Sequence, residues 1–231
     1  MTDQLATLTK EGDVSIITLD DGKANVFSSA MSSTINQLLD EVPNDKGALL
    51  ITGRQGLLSG GFDLKTMTGG EAKDIIEMTV NGFKLLARIY GFSRPVVVAS
   101  SGHAIALGAF LLCCADYRVG AKGKYLVQAN EHRNNMSIPI PILEISKSRI
   151  SKRHWHRAIL NAEAYPIDQS VEAGYLDEDS DGIYGEDPNP NIADGTVDEK
   201  GRINDADYDY TIEPRKDANG QFYFQKVLLH Q

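Results

Sequence analysis

The stretch "RPVVVASSGHAIALGAFLLCCAD", residues 94–116, constrains the fold more tightly than any other. Residues 94–102 read as a strand that is apolar on both faces. Such a strand needs cover on both sides, the usual condition of a parallel strand between layers. The residues that follow, "LGAFLLCCAD", read as a helix with no polar face, so it too must be buried. A membrane span is excluded by length: Ala104 to Ala115 holds only 12 uncharged residues, against roughly 20 for a bilayer crossing. The two adjacent cysteines, Cys113 and Cys114, are the only ones in the chain. Helix neighbours point in different directions, so a disulfide between them is geometrically poor. They read as small core residues in a reducing cytoplasm. The N-terminal "MTDQLATLTKEGDVSIITL" has no basic stretch leading into an apolar one and does not read as a secretory signal.

Around this centre, strand and helix patterns alternate. "VSIITL" (14–19) and "GALLITG" (47–53) read as strands. Residues 28–42 carry Met31, Ile35, Leu38, Leu39 and Val42 at helical spacing, with a serine available as cap. Residues 72–92 read as a second helix, "YRVGAKGKYLV" as a short strand and turn, and 151–162 as helical. A further helix begins after "PID". The alternation predicts an α/β layered fold. At 231 residues and 42% hydrophobic, the chain can bury one sizeable core with a small appendage.

Charge divides the chain near Asp177. Residues 1–177 hold 19 acidic and 18 basic side chains, while 178–231 hold 13 and 5. The expected organisation is therefore a core over 1–177 and an acidic Asp/Asn/Gly-rich segment over 178–231. Within that segment, "YDYTIEPRK" and "QFYFQKVLL" read as a strand pair turning at Asn219-Gly220. Asp177, Asp179 and Asp181 before Gly182 are spaced like the start of a calcium loop, but Pro188 stands where such a loop needs glutamate. The segment reads instead as solvated. Neither piece has a basic stripe, which argues against a nucleic-acid partner.

Three segments carry the chemistry. "LLSGGFDLKTM" (57–67) and "GHAIALGAF" (102–110) are both glycine-bearing turns at strand ends, where backbone N–H groups are presented. Two such donors converging on one point would make an oxyanion hole. "QANEHRNNMSIPIP" supplies a carboxylate, Glu131.

These segments, with "LDDGKANVFSSAMSSTINQLLDE" before them and "NAEAYPIDQSVEAGYLDE" after, resemble the crotonase (enoyl-CoA hydratase/isomerase) superfamily over residues 5–178. The last stretch is similar to the family's "eA…GLVde" pattern, and the chain departs from the family beyond Glu178. The resemblance implies a crotonase-like spiral of ββα units and an acyl-CoA thioester as substrate. Coenzyme A would enter as part of that substrate, with no separate cofactor or metal. Family members assemble as homotrimers.

Carried over position by position, the resemblance places the oxyanion donors at the backbone N–H groups of Phe62 and Leu107, with Gly60, Gly61 and Gly108 permitting the turns. It makes Glu131 the proton-moving carboxylate. Family hydratases use a second glutamate, and its position here is Phe110. A lone glutamate beside an enolate-stabilising pair suits double-bond isomerisation. Hydration of a 2-enoyl-CoA is the alternative, and a truncated scaffold without activity is another. Lys23, Ala24, Ser59, Gly60, Asp63 and Lys65 are the candidates for the coenzyme A channel, with Gly108 and Phe110 beside the acyl group. His103 and His132 flank these positions and read as incidental. His154 and His156, two residues apart, are poorly placed to share a metal on a helix.

Overall fold

The computed structural model describes residues 4–180, 210–216 and 222–228. Two sheets organise the first unit, which runs to Ile183. The larger holds β1 (Ala6–Glu11), β2 (Val14–Leu19), β3 (Ala48–Gly53), β5 (Val96–Ser100), β7 (Tyr117–Ala121) and β10 (Glu178–Ser180) in that spatial order. The smaller holds β4 (Gly56–Ser59), β6 (Gly102–Ile105), β8 (Leu126–Gln128) and β9 (Tyr165–Pro166). All neighbours in the larger sheet are parallel except the β1–β2 hairpin, and β4, β6 and β8 are parallel in the smaller.

The pairs β3–β4, β5–β6 and β7–β8 each give one strand to each sheet. Helices follow them: α2 (Leu64–Gly69) and α3 (Ala72–Tyr90) after the first pair, α4 (Leu107–Cys114) after the second, α5 (Ile140–Arg149) after the third. This repetition is the ββα spiral of the crotonase-like fold. Two helices complete the unit, α1 (Ser29–Asp40), capped by the Ser28 side chain on Met31 N–H, and α6 (Ile167–Ala173).

All eight residues of α4 are buried, as its lack of a polar face required. Burial pushes the Cys113 thiol up to about 12 and raises Cys114 as well, which leaves both as unreactive core residues. Strand β5 buries one face completely, with Val96 and Val98 at 1% and 0% exposure, while on the other face Ala99 is buried and Val97 is half-buried.

Several elements differ from the sequence expectations. Residues 94–105 form not one strand and a turn but β5 and β6, bent at Ser101 so that the chain changes sheets. β1 was not expected, because only Ala6 is fully buried and its far half is exposed at the sheet edge. α5 was not expected either, since Pro139 and Pro141 give its start the look of a loop. Pro139 is the N-cap and Pro141 lies in the first turn, where proline costs no hydrogen bond. Residues 151–162, expected to be helical, form a turn and then a short π-helix over His156–Leu160.

The core also runs past Asp177. β10 pairs in parallel with β7, placing Glu178 beside Val119. Asp177 itself grips Arg118: its carboxylate accepts from Nε at 2.8 Å and Nη2 at 2.5 Å, and from the Arg118 backbone N–H at 2.9 Å. The guanidinium also donates to Gly174 O at 2.6 Å. The Asp177 carboxylate is therefore engaged in closing the sheet, whereas Asp181, Gly182 and Pro188 of the calcium-like spacing lie outside the described residues. Asp177→Asn is expected to destabilise the fold by about 1.5–3 kcal/mol, the scale of charge-assisted bonds to a buried partner. Urea unfolding at neutral pH checks this.

The second unit, from Tyr184 onward, contains an antiparallel pair, β11 (Tyr210–Lys216) with β12 (Phe222–Leu228), Lys216 lying opposite Phe222. The expected turn at Asn219-Gly220 lies outside the described residues. Among the described residues, no helix is long and apolar enough to cross a membrane.

Candidate active site

The three chemical segments all follow the C-terminal ends of neighbouring strands: Phe62 after β4, Leu107 after β6 and Glu131 after β8. Because β4, β6 and β8 are adjacent and parallel, segments distant in sequence emerge at one edge. This is where open parallel sheets place their ligands.

The first turn is held at its two glycines. Gly60 N–H donates to Ala24 O at 2.8 Å, and Gly61 N–H to Ser59 Oγ at 3.1 Å. Gly61 O accepts from Phe27 N–H at 2.8 Å. The Phe62 N–H enters no backbone hydrogen bond among the described residues. Asp63 then caps α2, its carboxylate accepting from Lys65 N–H at 3.2 Å and Thr66 Oγ1 at 2.9 Å.

The second turn is strained. Ala106 has φ 52° and ψ −121°, a conformation an alanine adopts only when its surroundings impose it. Its N–H is fixed on Gln128 O at 2.7 Å. Leu107 then opens α4, and its N–H likewise enters no backbone hydrogen bond, as a first-turn helical N–H would be expected to remain.

The two turns touch. A Cβ added at Gly61, where φ is +93°, would lie 2.6 Å from Ala106 Cβ and 3.4 Å from the Leu107 backbone nitrogen. Only glycine lets the first turn rest on the second. On α3, a Cβ at Gly82 would fall 2.5 Å from the Phe62 ring and 3.1 Å from Leu107 Cδ2. The side chains of Phe62 and Leu107 therefore share a seat under α3, where Phe83 meets Phe62 edge-on at 5.5 Å. Packing alone thus brings the two turns and these two side chains together.

Glu131 is 4% exposed. Burial pushes its carboxyl up to about 7, partly offset by a hydrogen bond from its own backbone. Its Oε2 has no hydrogen-bond partner among the described residues. The turn that carries it is held by its own carbonyl, which accepts from Asn134 and Met136 N–H, both at 2.9 Å. A half-protonated buried carboxyl near neutral pH is suited to passing a proton in either direction. Phe110 lies one helical turn beyond Leu107 and is 1% exposed.

The remaining candidates divide by environment. Ser59 is fully buried and donates to Asn25 O at 2.7 Å, so it ties two loops together. Gly60 packs on Ala24, and a Cβ on Gly108 would lie 2.8 Å from Ser59 O. Lys23, Ala24 and Lys65 are exposed. Sequence reasoning gave no role to Asp21 and Asn25, which shape this loop. The Asp21 carboxylate accepts N–H groups of Lys23 at 2.7 Å, Asn25 at 2.9 Å and Val26 at 3.3 Å. Asn25, buried with φ 47°, donates to Leu19 O at 2.9 Å and Leu58 O at 3.2 Å. Two Asx residues four apart were the available signal. His103 accepts from Leu126 N–H at 3.2 Å and meets Tyr125 edge-on, and His154 contacts Tyr165 Oη at 3.2 Å.

A spiral of ββα units, with the turns at Phe62 and Leu107 and a buried glutamate following three adjacent parallel strands, is the fold of the crotonase class. The sequence profile of the enoyl-CoA hydratase/isomerase family matches residues 9–178, and the chain belongs to that family. An enoyl-CoA isomerase of Mycobacterium tuberculosis has a solved structure 39% identical to it, with a TM-score of 0.72 over 78% of each chain. The mouse mitochondrial enoyl-CoA delta isomerase 1 is 27% identical over 169 residues, 71% of this chain and 58% of its own. Carnitinyl-CoA dehydratase of Salmonella is 34% identical over 119 residues, 50% of this chain and 45% of its own. The chain thus spans about half the length of these curated relatives.

Proposed function

We propose that the chain acts on acyl-CoA thioesters and moves a double bond, converting a 3-enoyl-CoA into the 2-enoyl isomer. The thioester oxygen accepts hydrogen bonds from Phe62 and Leu107 N–H. Ionised Glu131 removes a proton from the carbon alpha to the thioester, and the electron pair passes to that oxygen as an enolate. As the enolate collapses, Glu131 returns the proton to the gamma carbon, leaving the double bond between alpha and beta carbons. Atoms and charge balance without a cofactor, coenzyme A serving only as part of the substrate. Lys23 and Lys65, exposed at the loop and at α2, are the proposed contacts for its phosphates.

The observation that carries this reading is the asymmetry of the carboxylates: Glu131 is buried and poised near neutrality, while Phe110 occupies the position a second one would need. A single carboxylate can shuttle a proton, but adding water calls for a second group to orient it. The isomerase name of the mouse relative agrees with the reading, whereas the mycobacterial protein is called an isomerase in one solved structure and a probable hydratase in another. The dehydratase relative keeps hydration as the competitor.

Parallel assays on a 3-enoyl-CoA and a 2-enoyl-CoA separate them. Isomerisation of the first without hydration of the second is the expected outcome. Hydration as the faster reaction would replace the proposal, and turnover or binding of neither would leave an inactive scaffold.

A further inference from the structure

Behind Glu131 lies a second buried acid that the mechanism does not use. Tyr175, between α6 and β10, is 0% exposed, and among the described residues no acceptor takes its hydroxyl proton. It stands where the family's "GLV" pattern has leucine. A phenol in place of leucine in a closed interior costs free energy unless its hydroxyl is used, since an unpaired buried hydroxyl loses its hydration without return.

The packing shows where that hydroxyl sits. The Tyr175 ring lies 5.8 Å from that of Tyr165, and Tyr165 pairs with Val127 of β8, the strand that runs on to Glu131. The Ala129 backbone N–H is directed at the phenol oxygen as a donor, leaving the hydroxyl proton uncommitted, and Glu131 lies within electrostatic reach. Two orphans therefore share one interior: a donor on Tyr175 and an acceptor, Glu131 Oε2. The other ionisable groups facing them are Cys113 of α4 and Tyr165 of β9. Arg118 and Arg149 act on Cys113, and His154 contacts Tyr165. Both thiol and Tyr165 are neutral at ordinary pH, so the Tyr175 hydroxyl is the uncommitted donor in this group.

We propose that Tyr175 is a positioning residue for Glu131, its phenol donating to the buried carboxylate through one bridging water and favouring the ionised form. The donor would offset part of the desolvation of the base and fix which oxygen faces the substrate. The inference rests on the reading of Glu131 as the base, and the test keeps the two apart.

Tyr175→Phe removes only the hydroxyl. The kcat/KM limb on a 3-enoyl-CoA that reports Glu131 is expected to move up by about one to two pH units, the worth of one hydrogen bond to a charged group, with KM little changed. The Glu131 carboxyl is followed independently of turnover by 13C NMR of protein labelled at the glutamate carboxyl, with Glu131→Gln identifying the resonance. The same upward shift is expected there. Site-specific 3-fluorotyrosine at position 175, a stronger donor of nearly the same shape, is expected to shift the resonance titration downward, which keeps the idea testable should Tyr175→Phe fold poorly. A Glu131 titration unmoved by either change overturns the inference. Full activity in Glu131→Gln overturns the role of the base instead, and leaves the NMR result to judge the contact.

Discussion

Replacing Glu131 with glutamine is expected to lower kcat/KM on a 3-enoyl-CoA by about 10²–10⁴-fold, the usual contribution of a positioned acid–base group. Glutamine keeps the shape and cannot accept the alpha proton, so the loss belongs to chemistry and not to packing. In the unmodified enzyme the base must be ionised, so the rate rises with pH through about 7, where burial has moved the Glu131 carboxyl.

Stability runs the opposite way. Unfolded, the group titrates near 4.5. The folded chain holds its proton to higher pH, so it binds more protons than the unfolded chain between those values. The stability present below about 4.5 is then lost as pH rises through about 7. On the scale of 1.36 kcal/mol per pH unit the loss is about 3 kcal/mol. Glu131→Gln is therefore expected to be more stable than the unmodified chain at pH 8 and similar to it at pH 4. Chemical denaturation at both values measures the difference. A gap independent of pH would show that the carboxyl is ionised without penalty and that burial is not what poises it.

The second large effect is expected at Gly61. Gly61→Val puts a branched side chain where φ is +93° and where Ala106 Cβ already stands 2.6 Å from the added atom. The two turns must separate, and the N–H groups of Phe62 and Leu107 separate with them. Loss of one oxyanion donor costs about 10²–10³ in kcat, and a fall of that size is expected here. Gly69→Ala is the control, because nothing lies within 4 Å of its added Cβ. Circular dichroism and kcat measured together distinguish a displaced donor from an unfolded chain. A folded Gly61→Val protein with undiminished kcat would refute the two-donor arrangement.

What the sequence made legible follows from how local each signal is. α1 and α3 show one apolar stripe at helical spacing, and β5 and α4 are apolar throughout, so each declares its own burial. β6 could not be separated from the turn after β5, since the bend at Ser101 is dictated by the second sheet and not by local composition. α5 was hidden by prolines that disfavour a helix everywhere except at its start.

The site shows the same division. Phe62, Leu107 and Glu131 are candidates that motif alone singles out. The positive φ of Ala106, the seat at Gly82 and the orphaned hydroxyl of Tyr175 depend on contacts between segments far apart in the chain. Gly82 in particular reads as a weak point of a helix, and only the adjoining Phe62 and Leu107 side chains explain it.

The burial of every residue in α4 also limits what this protein can become. A two-carboxylate site would need an acid at position 110, and that position lies inside a helix with no solvated face. A glutamate placed there would face the desolvation that already raises Glu131, without a charged partner to offset it. On the proposed one-carboxylate reading, a two-carboxylate site is therefore several substitutions distant from this sequence, not one. Any path toward it must first open the interior around α4, so intermediates along that path would lose stability before they gained a new reaction.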